Sequence, residues 1–206
     1  MAQLSGGQKK RAKESGVTLL YTPFAREAFV FIVNADNPVN SLTEQQVRDI
    51  FSGAITNWRT VGGNDQEIQT WQRPEDSGSQ TVMQSQVMKN VRMISPQETE
   101  VASMMEGMIK VVAEYRNTNN AIGYTFRYYA TQMNADKNIK LLAINGITPT
   151  AENIRNGKYA YIVDAFMVTR ENTTSETQKL VEWFLTPQGQ SPVEDVGYVP
   201  LYKTLH

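Results

Sequence analysis

Arg73, Ser77, Gly78 and Ser79 lie together in the stretch Arg73-Pro-Glu-Asp-Ser-Gly-Ser79, and their types and spacing suit the capture of an anion. Glu67–Gln72 before Arg73 reads as a short strand, and Val82, Met83 and Val87 after Ser79 read as a helix. Ser77-Gly78-Ser79 therefore opens a helix. The first amides of a helix have no intrahelical acceptor, and the macrodipole places about half a positive charge there. An anion can rest on the Ser77, Gly78 and Ser79 amides, with Gly78 allowing close approach of the backbone. Two hydroxyls add donors, and Arg73 adds a planar fork of them. Charge-assisted bonds of this kind contribute about 1.5–3 kcal/mol each. The same residues also fit ordinary helix capping beside a surface ion pair of Arg73 with Glu75 or Asp76, and the local pattern leaves both readings open.

Composition narrows the chemistry further. The 206 residues include 20 basic and 21 acidic side chains, for a net charge of -1. No whole-chain field favours nucleic acid or an anionic membrane, so a nucleic-acid partner is not expected. There is no cysteine, and the single histidine is His206. Thiolate metal sites, a cysteine nucleophile and a histidine-based triad are excluded, and no metal or cofactor is expected. With 40% hydrophobic and 20% charged residues, the chain is an ordinary globular one, long enough for a large core. Met1 to Lys13 is polar and basic and lacks the apolar run of a signal peptide. The expectation is a cytoplasmic protein or a chain without its export segment.

The elements that must position Arg73 follow from local patterns. Gln8 to Ser15 is helix-compatible and Gly16 stops it, while Val17–Tyr21 and Phe29–Val33 read as two strands. Ser41 with Glu44, or Thr43 with Gln46, forms a capping box before Val47, Ile50 and Phe51, and Gly53 ends that helix. Glu67–Gln72 is a short strand. Met104, Met105, Met108, Val111, Val112 and Tyr115 follow the spacing of one apolar helical stripe, read as core packing. Ala121–Tyr124 and Lys140–Ile144 read as strands, Thr150 caps a turn closed by Gly157, and Tyr159–Thr169 is a strand. Leu180, Val181, Phe184 and Leu185 mark a helix, and Thr186-Pro187 starts another that Gly197 ends. Trp58 is read as packed on its own lobe rather than lining a cleft. Phe126 to Tyr129 is read as a helix with one solvated arginine, and Asp164 as an edge residue. Alternating strands and helices make the class α/β.

Several segments, in order, resemble the signatures of PstS-type phosphate-binding proteins of phosphate ABC transporters. They are Asn37-Pro-Val-Asn-Ser-Leu-Thr43, Ile50-Phe-Ser-Gly-Ala-Ile-Thr-Asn-Trp58, Val61-Gly-Gly63 and Arg73-Pro-Glu-Asp-Ser-Gly-Ser79. Ala121-Ile-Gly-Tyr124, Glu152-Asn-Ile-Arg-Asn-Gly-Lys-Tyr159 and Gly197-Tyr-Val-Pro-Leu201 complete the series. The resemblance implies a type II periplasmic-binding-protein fold: two α/β lobes joined by two crossing strands, with phosphate held in the cleft. Residues 37–138 would form the second lobe, and residues 1–36 with 139–206 a discontinuous, incomplete first lobe. The family's Arg-x-x-x-Ser-Gly-Thr segment falls on Arg73, Ser77, Gly78 and Ser79, with serine in place of threonine, so the hydroxyl is kept.

The function so implied is a non-enzymatic, extracytoplasmic receptor that hands inorganic phosphate to an ABC-transporter permease. Family members carry further phosphate-binding segments earlier in the first lobe, one bearing an acid, and nothing before Val17 matches them. The expectation is weak phosphate binding, reduced rejection of sulfate, and unpaired first-lobe strands open to homodimerisation. Two alternatives stand beside this: an envelope binding or sensor module that has lost tight phosphate capture, and a phosphoester hydrolase with Ser77 or Ser79 as nucleophile.

Overall fold

The computed structural model describes residues 6–96, 102, 104–114, 120–133 and 135–202. Helix α1 (Gly6–Glu14) ends at Gly16, whose φ of 65° lies in the left-handed region. Strand β1 then runs unbroken from Leu19 to Asn34 and organises the molecule. The sequence suggests two strands here, separated by a stretch with no alternating pattern and a proline. The structure joins them. Pro23 is tolerated because the register with the partner strand slips between Pro23 and Ala25, leaving Phe24 as a bulge.

The two ends of β1 have different partners. Its second half pairs antiparallel with β4 (Ala121–Phe126), setting Phe29 opposite Phe126 and Val33 opposite Ile122. On the other side it pairs with β5 (Ile139–Leu141). Its first half pairs with β7 (Ile162–Arg170), from Leu19 opposite Arg170 to Ala28 opposite Ile162. There β8 (Val199–Pro200) flanks it opposite Ala25 and Arg26. Strand β3 (Gln69–Thr70) lies parallel to β4, and β2 (Ser41–Leu42) pairs in parallel with β6 (Ala143–Ile144). The expected single strand Lys140–Ile144 is thus divided, because its two ends serve different sheets.

The core divides along β1 in the same way. Ala28 to Val33 are fully buried, the continuous apolar run of a strand covered on both faces. Around them sit Phe51 and Trp58, and the Phe29 ring lies 5.4 Å from that of Tyr124. Trp58 is therefore core, and its indole N–H donates to the Asn120 carbonyl at 2.9 Å. A smaller cluster of Ala25, Ala165 and Val193, with Phe24, Phe184 and Tyr198 against it, belongs to the first half of β1.

Helix α2 (Glu44–Ser52) selects Thr43 and Gln46 for its capping box, and Gly53 ends it at a φ of 82°. Ser41 is engaged elsewhere, pairing within β2 and accepting the Gly146 N–H. Helix α3 (Gly78–Val82) continues into a wider helical turn at Met83–Met88. Helix α4 (Met105–Glu114) buries Met108, Ile109 and Val112 as its stripe requires. Met104 is 65% exposed, a correction to the expected stripe, since it precedes the first helical turn. The Met105 side chain and Tyr115 lie outside the described residues.

Helix α5 (Ala151–Arg155) is capped by Thr150, and α6 (Ser175–Phe184) contains no fully buried residue. Helix α7 (Pro187–Asp195) starts with Thr186 as cap and proline in the first turn. Arg127 differs from its reading as a solvated residue. It is part-buried and donates to the Gly197 carbonyl at 3.3 Å, a partner remote in sequence and so invisible to local pattern.

Candidate functional site

Arg73 emerges where β3 has ended and the chain turns towards α3. Ahead of it, the Trp71 N–H still bonds to the Ile122 carbonyl and keeps the chain beside β4. The Ser77 N–H then donates to the Pro74 carbonyl at 3.0 Å, closing a tight turn over Pro74 to Ser77. Glu75 and Asp76 are the central residues of this turn, and the serine that ends it becomes the helix cap. Ser77 has φ -76° and ψ 146°, and its Oγ accepts the Gln80 N–H at 3.1 Å.

This capping changes the expected donor set. The Ser77 amide is held by Pro74, so among the described residues the free amides at the helix start are those of Gly78 and Ser79. Gly78 is exposed and Ser79 is buried. The Ser77 and Ser79 hydroxyl oxygens lie 3.5 Å apart, so the two hydroxyls flank the same end of the helix.

Arg73 is half-buried. Its Nη1 donates to the Ala102 carbonyl at 2.8 Å, while its buried Nε has no acceptor among the described residues. Desolvation lowers its pKa from the ordinary arginine value, opposed by Tyr124, Tyr129 and Asp76. The guanidinium remains a cation because arginine starts so far above neutrality. Its backbone N–H is held by the Tyr124 Oη at 3.1 Å and lies 3.4 Å from Gln80 Oε1. Burial raises Tyr124 well above the usual phenol value, so the hydroxyl stays protonated.

The arrangement offers two backbone amides, two hydroxyls and one cation to an oxyanion. The residues singled out in the sequence come from one turn and share one hydrogen-bonded neighbourhood, but nothing local to them signals Tyr124 or Gln80. Gln80 is a first-turn helix residue of ordinary type, and Tyr124 reaches Arg73 only through the β3–β4 pairing. Among the described residues there is no cluster of acidic and histidine side chains able to hold a metal ion. None of the described helices is long and apolar enough to cross a membrane.

Comparison with known proteins places the chain in a family. The model of the PBP superfamily domain matches residues 3–188. The phosphate-binding protein PstS of Bacillus subtilis is 28% identical over 170 residues, covering 82% of this chain and 53% of that protein. PstS of Borreliella burgdorferi is 26% identical over 184 residues, covering 86% of this chain and 64% of that protein. The chain thus spans between about half and two thirds of the length of these curated relatives.

Among solved structures, a Clostridium perfringens protein with bound phosphate superposes with a TM-score of 0.76 at 25% identity. That match covers 98% of this chain and 77% of the other. PstS from Borrelia burgdorferi gives 0.69 at 25% identity over 98% and 77% of the two chains. With its type II periplasmic-binding-protein fold and its similarity to PstS proteins, the chain belongs to the PBP superfamily domain family.

Proposed function

We propose that this protein is a receptor for inorganic phosphate that hands its ligand to an ABC-transporter permease outside the cytoplasm. The observation that carries the reading is the turn Arg73–Ser79. There the Gly78 and Ser79 amides and a buried Arg73 Nε have no acceptor among the described residues, and the Ser77 and Ser79 hydroxyl oxygens lie 3.5 Å apart beside them. Similarity to PstS proteins, and to a structure with bound phosphate, supports phosphate as the anion.

In this reading residues 37–138 form one lobe, residues 1–36 and 139–206 form the other, and the cleft closes on the anion by a hinge motion. The chemistry is binding, without a covalent step. Ser77 Oγ is occupied in capping Gln80, which suits a structural donor better than a nucleophile.

The test is a thermal-shift titration with phosphate and with sulfate, on the parent chain and on Arg73→Ala. At a hundredfold excess over Kd a ligand stabilises by about 2.7 kcal/mol. For a chain of this size that is roughly 5–10 °C. The expected result is a shift with phosphate that Arg73→Ala abolishes. No shift at millimolar phosphate, or an equal shift in the variant, overturns the reading.

A further inference from the structure

The hydroxyl of Tyr124 stands between the strand that ends at Arg73 and the helix that begins at Gly78. It accepts the Arg73 N–H at 3.1 Å and donates to Gln80 Oε1. The Gln80 carbonyl oxygen also lies 3.4 Å from the Arg73 nitrogen. Gln80 in turn gives its backbone N–H to Ser77 Oγ at 3.1 Å, and its Nε2 rests 3.8 Å from the Met93 sulfur. Arg73, Tyr124, Gln80 and Ser77 therefore form one connected chain of contacts, running from the main chain of Arg73 to the capping hydroxyl of α3.

We propose that Tyr124 and Gln80 are positioning residues of the anion site, fixing the main chain of Arg73 and the start of α3 relative to each other. The inference rests on the phosphate reading of that site. Two features separate this role from core packing. The Tyr124 ring is fully buried between Phe29 and Phe51, with centroids 5.4 and 5.6 Å away, so packing engages the ring and leaves the hydroxyl to polar contacts. The Arg73 N–H, moreover, lies past the end of β3 and has no backbone acceptor among the described residues. The tyrosine hydroxyl and the glutamine carbonyl are its acceptors. A guanidinium recognises an oxyanion through a fixed fork, so a backbone free to rotate at Arg73 costs orientation and weakens binding.

Removing the hydroxyl alone isolates the effect. Tyr124→Phe keeps the ring and its packing, and is expected to weaken phosphate binding about tenfold, the size of one lost hydrogen bond of this kind. Gln80→Leu gives a second probe of the same linkage, so the outcome does not depend on one variant folding. The decisive readout is a double-mutant cycle on the phosphate Kd, followed by titration into the high millimolar range at constant ionic strength. If Tyr124 acts through Arg73, Tyr124→Phe has little effect in the Arg73→Ala background. A general loss of stability would instead lower affinity by the same factor in both backgrounds, and that result overturns the proposal.

The two levels of inference fail in different ways. If Arg73→Ala weakens phosphate binding while Tyr124→Phe and Gln80→Leu do not, the site stands and the positioning role falls. If the parent chain binds no phosphate, or Arg73→Ala changes nothing, both fall together.

Discussion

Tyr128 and Tyr198 stack face to face, their ring centroids 4.2 Å apart and their planes inclined by 16°. The first follows β4, which pairs with the second half of β1, and the second precedes β8, which pairs with the first half. Bonded to the Tyr128 backbone is Glu27, 6% exposed, at the point where β1 passes from one set of partners to the other. One carboxylate oxygen accepts the Ala28 N–H at 2.7 Å and the other the Tyr128 N–H at 3.0 Å. Burial, the largest influence, raises Glu27 to about 7 from an ordinary 4.5, against those two bonds and the nearby Arg127 charge. Burial, then the Glu27 charge, raises Tyr198 as well.

A pH dependence of stability follows. A carboxyl whose pKa is higher in the folded state binds its proton more tightly there. Its cost is absent below pH 4.5, grows as pH rises through the interval up to about 7, and is complete above that. The full effect is on the order of 3 kcal/mol. Glu27→Gln is expected to flatten the stability profile between pH 4.5 and 7 in urea unfolding followed at several pH values. Parallel profiles for the two proteins would show that Glu27 does not titrate in this range.

Gly123 admits no side chain. A Cβ built there falls 2.4 Å from the Met108 sulfur and 3.1 Å from the Val112 side chain, so these α4 side chains lie directly against the β4 backbone. Gly123→Ala is expected to destabilise by about 1–3 kcal/mol through overpacking. The matching fall in Tm is roughly 2–12 °C. Met108→Ala in the same chain makes room and is expected to recover part of the loss specific to Gly123→Ala. Absence of that recovery in the double variant would remove the steric explanation.

Thr43 closes both halves of the capping box of α2, accepting the Gln46 N–H at 3.1 Å while its own N–H is held by Gln46 Oε1 at 2.8 Å. Thr43→Ala is expected to cost about 1 kcal/mol, readable as a fall of about 2–4 °C in Tm. Ser41→Ala, at the other position where the sequence permits a box, is expected to cost less because Ser41 caps nothing. A larger loss at Ser41 would contradict this assignment of the cap.

Strand β7 pairs with β1 along one edge, and among the described residues no strand pairs with its other edge. Tyr21 and Phe166 meet edge to face on this ribbon, at 6.2 Å, next to Val168, which is 39% exposed. An open, partly apolar edge of this length is a template for pairing with a second copy. Sedimentation velocity is expected to show concentration-dependent dimerisation that Val168→Lys weakens. A parent chain that stays monomeric at high concentration removes self-association from the reading.

Local chemistry was legible in the sequence, and long-range partnership was not. The cap at Thr150, the Thr186-Pro187 start and the glycine stops at 16, 53 and 157 are short-range motifs that the structure reproduces. The helix start at Ser77 was readable for the same reason, because capping uses neighbouring residues. Even so, the use of the Ser77 amide by Pro74 was missed, since the turn and the cap overlap at one residue. Tyr124, Gln80 and the Arg127–Gly197 contact depend on strand pairing and on chain segments brought together from afar. The division of Lys140–Ile144 between two sheets, and the fusion of two expected strands into β1, likewise follow from partners rather than from the residues themselves.

That single strand also dictates an order of events during synthesis. The second half of β1 pairs with β4 and β5, but among the described residues Leu19–Ala28 pairs only with β7 and β8, which are made later than either. One continuous strand is therefore half satisfied while its other half waits, exposed, for most of translation. Pairings between such distant segments close slowly, and their unpaired edges invite aggregation in the interval. In nascent chains arrested before Ile162, the amides of Leu19–Ala28 are expected to exchange as freely as in an unfolded peptide. The strand that unifies the finished molecule is thus fully paired only when its latest partners have been made.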